Sequence, residues 1–375
     1  MIFVNIILII LTAGQEEDGY KGSGKQNSPE LHLVSITNLQ RCAFLREKHL
    51  TLCKYFAEDM PVHKISLILC AAVLICGCSR SRYEIFTGYA QGGTYTVKAD
   101  MAGTRTSHRK AAEAIDSLLT GIDFSLSGYN KSSILSRRNA GEDVAPDRFF
   151  SEISALSEHF REVTDGAFDV SCGPLFDIWG FGFTSDSIPS PERVQAALEE
   201  CKTGKTINFN AIAQGYSCDV IASYLHSIGV HNMLVDIGEI YCEGLNPSGK
   251  DWTIGIDTPE DGNNVPGASL SGIWLSGGKA CGIVTSGNYR KFYVKDGKKY
   301  AHTIDPRTGY PVEHGLLSAT ITAPTAAEAD ALATACMVMG PEAARKFITE
   351  HDGIEGYLIT SEGSWKSDGF SIRTN

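Results

Sequence analysis

Residues 317–341 read LSATITAPTAAEADALATACMVMGP. The stretch opens as a strand, Leu317–Thr322, and turns into a helix a few residues later. Thr325-Ala326-Ala327-Glu328 is a capping box, in which the Thr hydroxyl satisfies a first-turn N–H and Glu reaches back to the cap. The helix runs to about Met339, and Gly340-Pro341 separates it from the next. Upstream, Phe292–Val294 and Lys299–Ile304 flank Asp296-Gly297, a strong hairpin signal. Met233–Ile237 and Trp252–Ile256 read as further strands, and Thr94–Lys98 alternates as an earlier one. His108–Ile122 has helical apolar spacing at Ala111, Ala114, Ile115, Leu118 and Leu119. Phe149, Ile153, Leu156 and Phe160 mark the apolar stripe of a second helix, and Ser190-Pro191-Glu192 opens a third with Ser as cap and Pro at its first position. This mixture predicts an α+β fold built as one compact unit with two lobes, placed at residues 85–370.

The 375 residues are 43% apolar, 21% charged and 9% aromatic, an ordinary globular composition with length for one large domain or two small ones. A net charge of −11 without any Lys/Arg block argues against a nucleic-acid surface. The N-terminal quarter reads differently. Residues 61–78 are PVHKISLILCAAVLICGC, with His63 and Lys64 leading an apolar run from Ile65 to Ile75. That run is too short to span a bilayer stably and suits the core of a signal peptide over residues 60–77. Ile75-Cys76-Gly77-Cys78 resembles a bacterial lipobox with Cys78 as the lipidated residue, residues 78–84 forming a short linker. The other reading is a buried helix or strand with incidental cysteines. Met60 stands directly before the signal, so residues 1–59, with a second apolar run from Ile2 to Leu11, read as an over-long gene start; a true leader with an internal anchor is the alternative. The anchor predicts a cell-envelope protein held to the inner or outer membrane and facing the periplasm. Of the eleven cysteines, Cys172, Cys201, Cys218, Cys242, Cys281 and Cys336 follow Cys78, with no CxxC pair or zinc spacing; scattered buried thiols are expected and pairing stays open.

Five polar, glycine-marked stretches carry candidate chemistry. Gly92-Gly93-Thr94 lets a ligand approach the backbone, or is a simple turn. Thr164-Asp165-Gly166-Ala167-Phe168-Asp169, with Gly173-Pro174-Leu175 and Trp179-Gly180-Phe181-Gly182 after it, offers backbone donors beside aromatic rings, or core aromatics. Asn208–Ser217 passes from a strand into a helix whose N-terminus favours phosphate, although the Gly-Lys-Ser/Thr of a Walker loop is missing. Thr285-Ser286-Gly287-Asn288 is joined by the hairpin to His302-Thr303-Ile304-Asp305-Pro306-Arg307-Thr308-Gly309, in which Asp305 reads as a turn residue. Asp330 and Thr334 share one helix face at i and i+4 and supply two hard oxygen ligands of the kind Mg²⁺ takes. Their alternative is an exposed Asp and a Thr bonded back to a carbonyl.

Taken in order, GGTYTV, TDGAFDVSCGPLFDIWGFG, AIAQGY, TSGNY, HTIDPRTG and ADALAT resemble the ApbE family of FAD:protein FMN transferases, over about Tyr83 to Lys366. The resemblance implies a T-fold-like unit, FAD as substrate and Mg²⁺ as cofactor. It implies FAD contacts at Gly92, Tyr129, Ala167, Phe168, Asp169, Asn208, Gln214 and Ile304, with the Thr285-Ser286-Gly287 loop aligning the ligand. Asp330, Thr334 and the backbone carbonyl of Ala211 match the magnesium ligands, and His302 matches a histidine implicated in transfer. The acceptors it implies are extracytoplasmic flavoprotein subunits of redox complexes. Four positions depart from the family pattern. Gly92 stands where methionine is usual, Asn208-Phe209-Asn210 replaces an Asp-Leu-Gly-type turn, and Gln214 replaces a lysine. Val235-Asp236-Ile237-Gly238-Glu239 has one glycine where two are common. Two other activities fit the same motifs: an FAD pyrophosphatase releasing FMN and AMP, and a non-catalytic FAD-binding lipoprotein.

Overall fold

The computed structural model describes residues 82–374 except 182–187, 262, 264, 291 and 296, together with 7–10 and 32–35. Cys78 and the signal segment 60–77 lie outside the described residues, as does most of 1–59. In the unit Met1–Cys78, strand β1 (Ile7–Ile10) pairs antiparallel with β2 (His32–Ser35).

The unit Ser79–Asn375 is organised by strands whose successive side chains enter cores on opposite faces of one sheet. β3 (Tyr83–Ala90) and β4 (Gly93–Asp100) form a hairpin. β5 (Met233–Asp236) and β6 (Ile240–Glu243) form another; β9 (Cys281–Gly287), β12 (Leu316–Ala323), β13 (Glu355–Thr360) and β14 (Gly363–Lys366) extend the sheet. The eight strands lie in the order β14-β13-β12-β9-β6-β5-β4-β3, every neighbouring pair antiparallel. Met233 and Val235 face one way, into a core with Ile221 and Leu225, while Leu234 between them faces Trp252 and Trp274. Val284 against Ile283, and Leu358 against Tyr357, repeat the alternation. The second face is covered by a small sheet, β7 (Thr253–Asp257), β8 (Leu270–Leu275) and β15 (Ile372–Arg373).

Helices cover the first face. α1 (His108–Leu126), α2 (Ile134–Asn139), α3 (Arg148–Val163), α4 (Gly173–Ile178) and α5 (Pro191–Cys201) precede β5, and α6 (Ala213–Ser227) leads into it. α7 (Ala326–Met339) and α8 (Pro341–Glu350) lie between β12 and β13. The caps are those the sequence announces: Ser190 Oγ accepts from Arg193 N–H at 3.4 Å and Thr325 Oγ1 from Glu328 N–H at 3.2 Å. α7 rests on β9 and β12 and packs against α6. Its alanines bring backbones together: a Cβ on Gly282 of β9 would lie 2.4 Å from Ala326 Cα, and one on Gly215 of α6 would lie 2.3 Å from Ala326 O. A smaller apolar cluster joins α4, α5 and Ile304. Near it lies the hairpin of β10 (Phe292–Lys295) and β11 (Lys298–Ala301), which the Asp296-Gly297 signal anticipates. Among the described residues no helix is long and apolar enough to cross a membrane.

One reading needs correction: among the described residues no strand leads directly into α6. Ile207 instead exchanges both backbone bonds with the Asn139 side chain, donating to Oδ1 at 3.0 Å and accepting from Nδ2 at 2.8 Å, so a side chain takes the place of a ladder partner. In α3 the stripe Phe149, Ile153, Leu156 and Phe160 packs on the core as the spacing predicts, and Phe150 is buried beside it. The six described cysteines are free thiols, five of them buried, and Cys242 stands directly opposite Cys281 across β6 and β9.

Candidate active site

The site is assembled where α6 begins. Ile212 offers no side-chain cap to α6. Two first-turn N–H groups are used internally, Ala213 donating to Phe209 O at 2.8 Å and Gly215 to Asp330 Oδ2 at 3.1 Å, which leaves that of Gln214 for a ligand. Asp330 sits on α7, 5% exposed, not on the surface as the simpler reading of its helix face supposed. Thr334, one turn on, meets Ser286 Oγ at 3.4 Å through Oγ1. Thr285 Oγ1 is 2.8 Å from Thr320 Oγ1, which fixes the β9 end against β12, and Gly287 pairs with Ser318 in the same ladder. Asn288 then turns out of the strand and accepts at Oδ1 from Thr303 Oγ1 at 2.6 Å. His302 is the residue before Thr303 and its ring packs edge-on against Phe181, 6.3 Å between centroids. Ser286, Thr334, Asp330 and the start of α6 are therefore in direct succession, and His302 is tied to them through Thr303 and Asn288.

The remaining positions fall in three groups. Asn208 Oδ1 accepts from Asn210 N–H at 2.9 Å, and Asn208 N–H donates to Val170 O at 2.8 Å, joining the turn before Ala211 to the segment after Asp169. Asp169 Oδ1 accepts from both the N–H (2.8 Å) and the hydroxyl (2.6 Å) of Ser171, so this carboxylate caps a short helical turn. Ala167, Phe168 and Ile304 are core residues, 1%, 2% and 3% exposed, which leaves chiefly backbone atoms for a ligand. Gly92 lies at the tip of the β3–β4 hairpin with φ +80°, after Gln91 with φ 51°, so the paired glycines do make a turn. That tip nevertheless docks on α6, where the Gln91 amide donates to Ser217 Oγ. Tyr129 stands in the turn after α1 with its ring open to solvent, its N–H on Ser127 Oγ at 3.3 Å. Gln214 lies against Gly238, whose Cα would carry a Cβ only 2.5 Å from Gln214 Nε2; two of the departing positions are thus in contact. Asp305 is a turn residue, binding Arg307 N–H, Nε and Nη2 at 2.9 Å each.

Electrostatics single out Asp330 and add two carboxylates, Asp219 and Glu239, that were not candidate ligands in the sequence. Burial pushes Asp330 up to about 7, with Asp219 adding to the rise and the Gly215 N–H opposing it. Asp219 is pushed up to about 6, again chiefly by burial, although it accepts from Ala326 and Ala327 N–H at 2.8 Å each and so caps α7 from α6. Half-buried Glu239 is held well above the usual carboxylate range by desolvation and by Asp330 and Asp236, against the pull of Arg290. Asp219 carried no signal in the sequence because its partners are over 100 residues away. Among the described residues no Lys or Arg pairs with Asp330. A desolvated carboxylate with one N–H, a hydroxyl a turn later and free carbonyls before α6 fit a hard divalent cation bound together with phosphate oxygens.

The antiparallel sheet with its helical cover defines an α+β protein in which buried oxygen donors stand beside the N-terminus of a helix. The chain belongs to the ApbE family, whose profile matches residues 92–358. It is 31% identical over 341 residues to the FAD:protein FMN transferase of Escherichia coli (strain K12), covering 81% of this chain and 95% of that protein. It is 34% identical over 296 residues to the FAD:protein FMN transferase of Vibrio cholerae serotype O1, covering 73% and 87%. The solved flavin transferase ApbE from Vibrio cholerae superposes with TM-score 0.65 at 30% identity, over 78% of this chain and 98% of its own. The ApbE protein from Thermotoga maritima gives TM-score 0.67 at 27% identity, over 76% and 97%.

Proposed function

We propose that the chain transfers FMN from FAD to a threonine hydroxyl of another protein and releases AMP. The observation that carries this reading is the contact of Gly215 N–H with the buried Asp330, which sets a carboxylate and a helix N-terminus side by side. The hydroxyl oxygen bonds to the FMN-side phosphorus of the FAD pyrophosphate. The bond from that phosphorus to the bridging oxygen breaks, and its electron pair leaves with AMP. A ring nitrogen of His302 takes the hydroxyl proton, a contribution of roughly 10²–10⁴-fold for a positioned base. Asp330, Thr334 and the Ala211 carbonyl would hold Mg²⁺, which would supply charge neutralisation for the pyrophosphate. The first turn of α6 and the Thr285-Ser286-Gly287 loop orient the phosphates, while backbone atoms around Gly92, Ala167, Phe168 and Ile304 and the side chains of Asp169, Asn208, Gln214 and Tyr129 contact the nucleotide.

The acceptors are extracytoplasmic flavoprotein subunits of redox complexes, met at the membrane to which a lipid on Cys78 ties the enzyme. The test mixes the full chain with FAD, Mg²⁺ and a threonine-bearing acceptor domain, reading nucleotide products and acceptor mass together. Acceptor gaining FMN with an equal yield of AMP, abolished by chelator, is expected; free FMN and AMP with unmodified acceptor would turn the reading to a pyrophosphatase, and intact bound FAD to a binding protein. Asp330→Ala is expected to lose metal-dependent turnover, whereas His302→Ala keeps FAD binding. Normal turnover in Asp330→Ala would overturn the metal assignment.

A further inference from the structure

α6 carries a second constellation at its other end. His226 lies in its last turn, His231 in the loop that follows, and Glu243 at the end of β6. His226 Nε2 is 2.5 Å from Glu243 Oε2, and His231 Nδ1 is 3.8 Å from Glu243 Oε1, so each carboxylate oxygen addresses a different imidazole. One donor atom from each residue lies within 4.8 Å of the other two. We propose that these three residues form a binding site for a late first-row divalent cation, zinc foremost, separate from the candidate active site. Eleven residues separate Gly215 from His226, about 16 Å along the helix axis.

The donor chemistry supports the choice of ion. Two imidazoles and a carboxylate with a position left for water is a zinc, cobalt or nickel set, whereas magnesium takes oxygens. Bound donors around zinc stand about 3.4 Å apart, given bond lengths near 2.1 Å and tetrahedral angles. Rotation of the His231 side chain, 70% exposed, shortens its 3.8 Å separation to that value, and a small turn of the Glu243 carboxylate opens the 2.5 Å contact with His226. The frame is fixed in advance. Gly229 and Val230 N–H groups bond back to His226 O and Leu225 O at 2.9 and 3.0 Å. Asn232 holds the other side of His231, accepting from Asp100 N–H and Leu245 N–H at 2.9 Å each. Glu243 is oriented from behind: the Tyr241 hydroxyl donates to its Oε2 at 3.3 Å, the outer bond that metal-binding carboxylates usually have. A bound ion would pin the end of α6 to β6 by ligation to rigid elements.

The full chain, untagged and stripped with chelator, is titrated with Zn²⁺ in millimolar Mg²⁺ against a chromogenic chelator, beside His231→Ala and His226→Ala. Wild type is expected to bind one equivalent more than His231→Ala, or to bind it about 10²-fold more tightly. Zinc raises the melting temperature of wild type more than that of the variant, and AMP release from FAD is the same in both. Co²⁺ in place of zinc gives weak visible bands without an intense thiolate charge-transfer band. Equal zinc affinity in wild type and His231→Ala, a thiolate band, or no zinc bound at 100 µM would each overturn the site. Activity is read separately, so failure of the flavin-transfer reading leaves this result legible.

Discussion

Gln214 is the position at which this chain most directly tests what a single side chain does. Its amide rests on Gly238 beside the first turn of α6, at a position where the sequence resemblance implies a lysine. Gln214→Lys would extend a positive charge along the same glycine toward the nucleotide. One added charge in a partly open site is worth about 0.5–1 kcal/mol, a two- to fivefold lower KM for FAD that shrinks as salt is raised. Steady-state rates at two ionic strengths measure it, and an unchanged KM would mean that the amide already supplies the contact. Asp219 is a second case, because two influences oppose each other there. Burial lifts its carboxyl from the ordinary 3.8 to about 6, while the Ala326 and Ala327 N–H donors pull it down. A carboxylate raised in the folded state binds its proton more tightly folded than unfolded. Its favourable contribution is therefore complete below pH 3.8 and is lost as pH rises through about 6. Relative to Asp219→Asn, wild type should lose on the order of 3 kcal/mol of unfolding free energy between about pH 4 and pH 7. Denaturant titrations across that range decide it; a difference that grows with pH would show the helix-capping bonds outweighing burial.

Elements were legible where their signals are local. The stretch at 317–341 gave its strand, its Thr325 cap and the face shared by Asp330 and Thr334, because each depends on residues within a turn of one another. The hairpin around Gly297 was equally clear. Pairing was not legible: that β9 lies between β6 and β12 is settled by contacts such as Ser318 with Gly287, about which neither strand's own sequence says anything. The side-chain substitute for a strand before α6 is of the same kind, since Asn139 and Ile207 are 68 residues apart. Within the site, motif residues were named without their burial, so the core positions of Phe168 and Ile304 and the enclosure of Asp330 came only with the packing. That packing has a hard limit between α7 and its neighbours. Gly282→Ala would drive a methyl to 2.4 Å from Ala326 Cα and 2.5 Å from Thr325 O, both backbone atoms. Overpacking of this kind costs about 1–3 kcal/mol or more, and α7 would have to lift from β9. The expected result is a melting temperature several degrees lower together with weaker FAD binding, as Asp330 moves away from Gly215; a lower melting temperature with FAD binding intact would separate the two effects.

At the scale of the whole molecule, the eight-stranded sheet carries helices on one face and the small sheet of β7, β8 and β15 on the other. No helix among the described residues is long and apolar enough to cross a membrane, and the attachment proposed above lies in the segment before them. That segment contains Lys64, the apolar run from Ile65 and the Ile75-Cys76-Gly77-Cys78 sequence. A single acyl chain gives only reversible membrane binding, and stable attachment takes more than one. A lipobox cysteine with several chains would meet that requirement, and it would restrict the enzyme to acceptors within reach of the linker. Cys78→Ser is therefore expected to move the protein from the membrane to the soluble fraction of fractionated cells, with FAD cleavage unchanged in solution. Modification of membrane-bound acceptors should fall in those cells while a soluble acceptor domain is modified at the same rate, because only the encounter in the plane of the membrane has been lost. Retention of Cys78→Ser in the membrane fraction would instead place the attachment upstream, in a leader that begins before Met60.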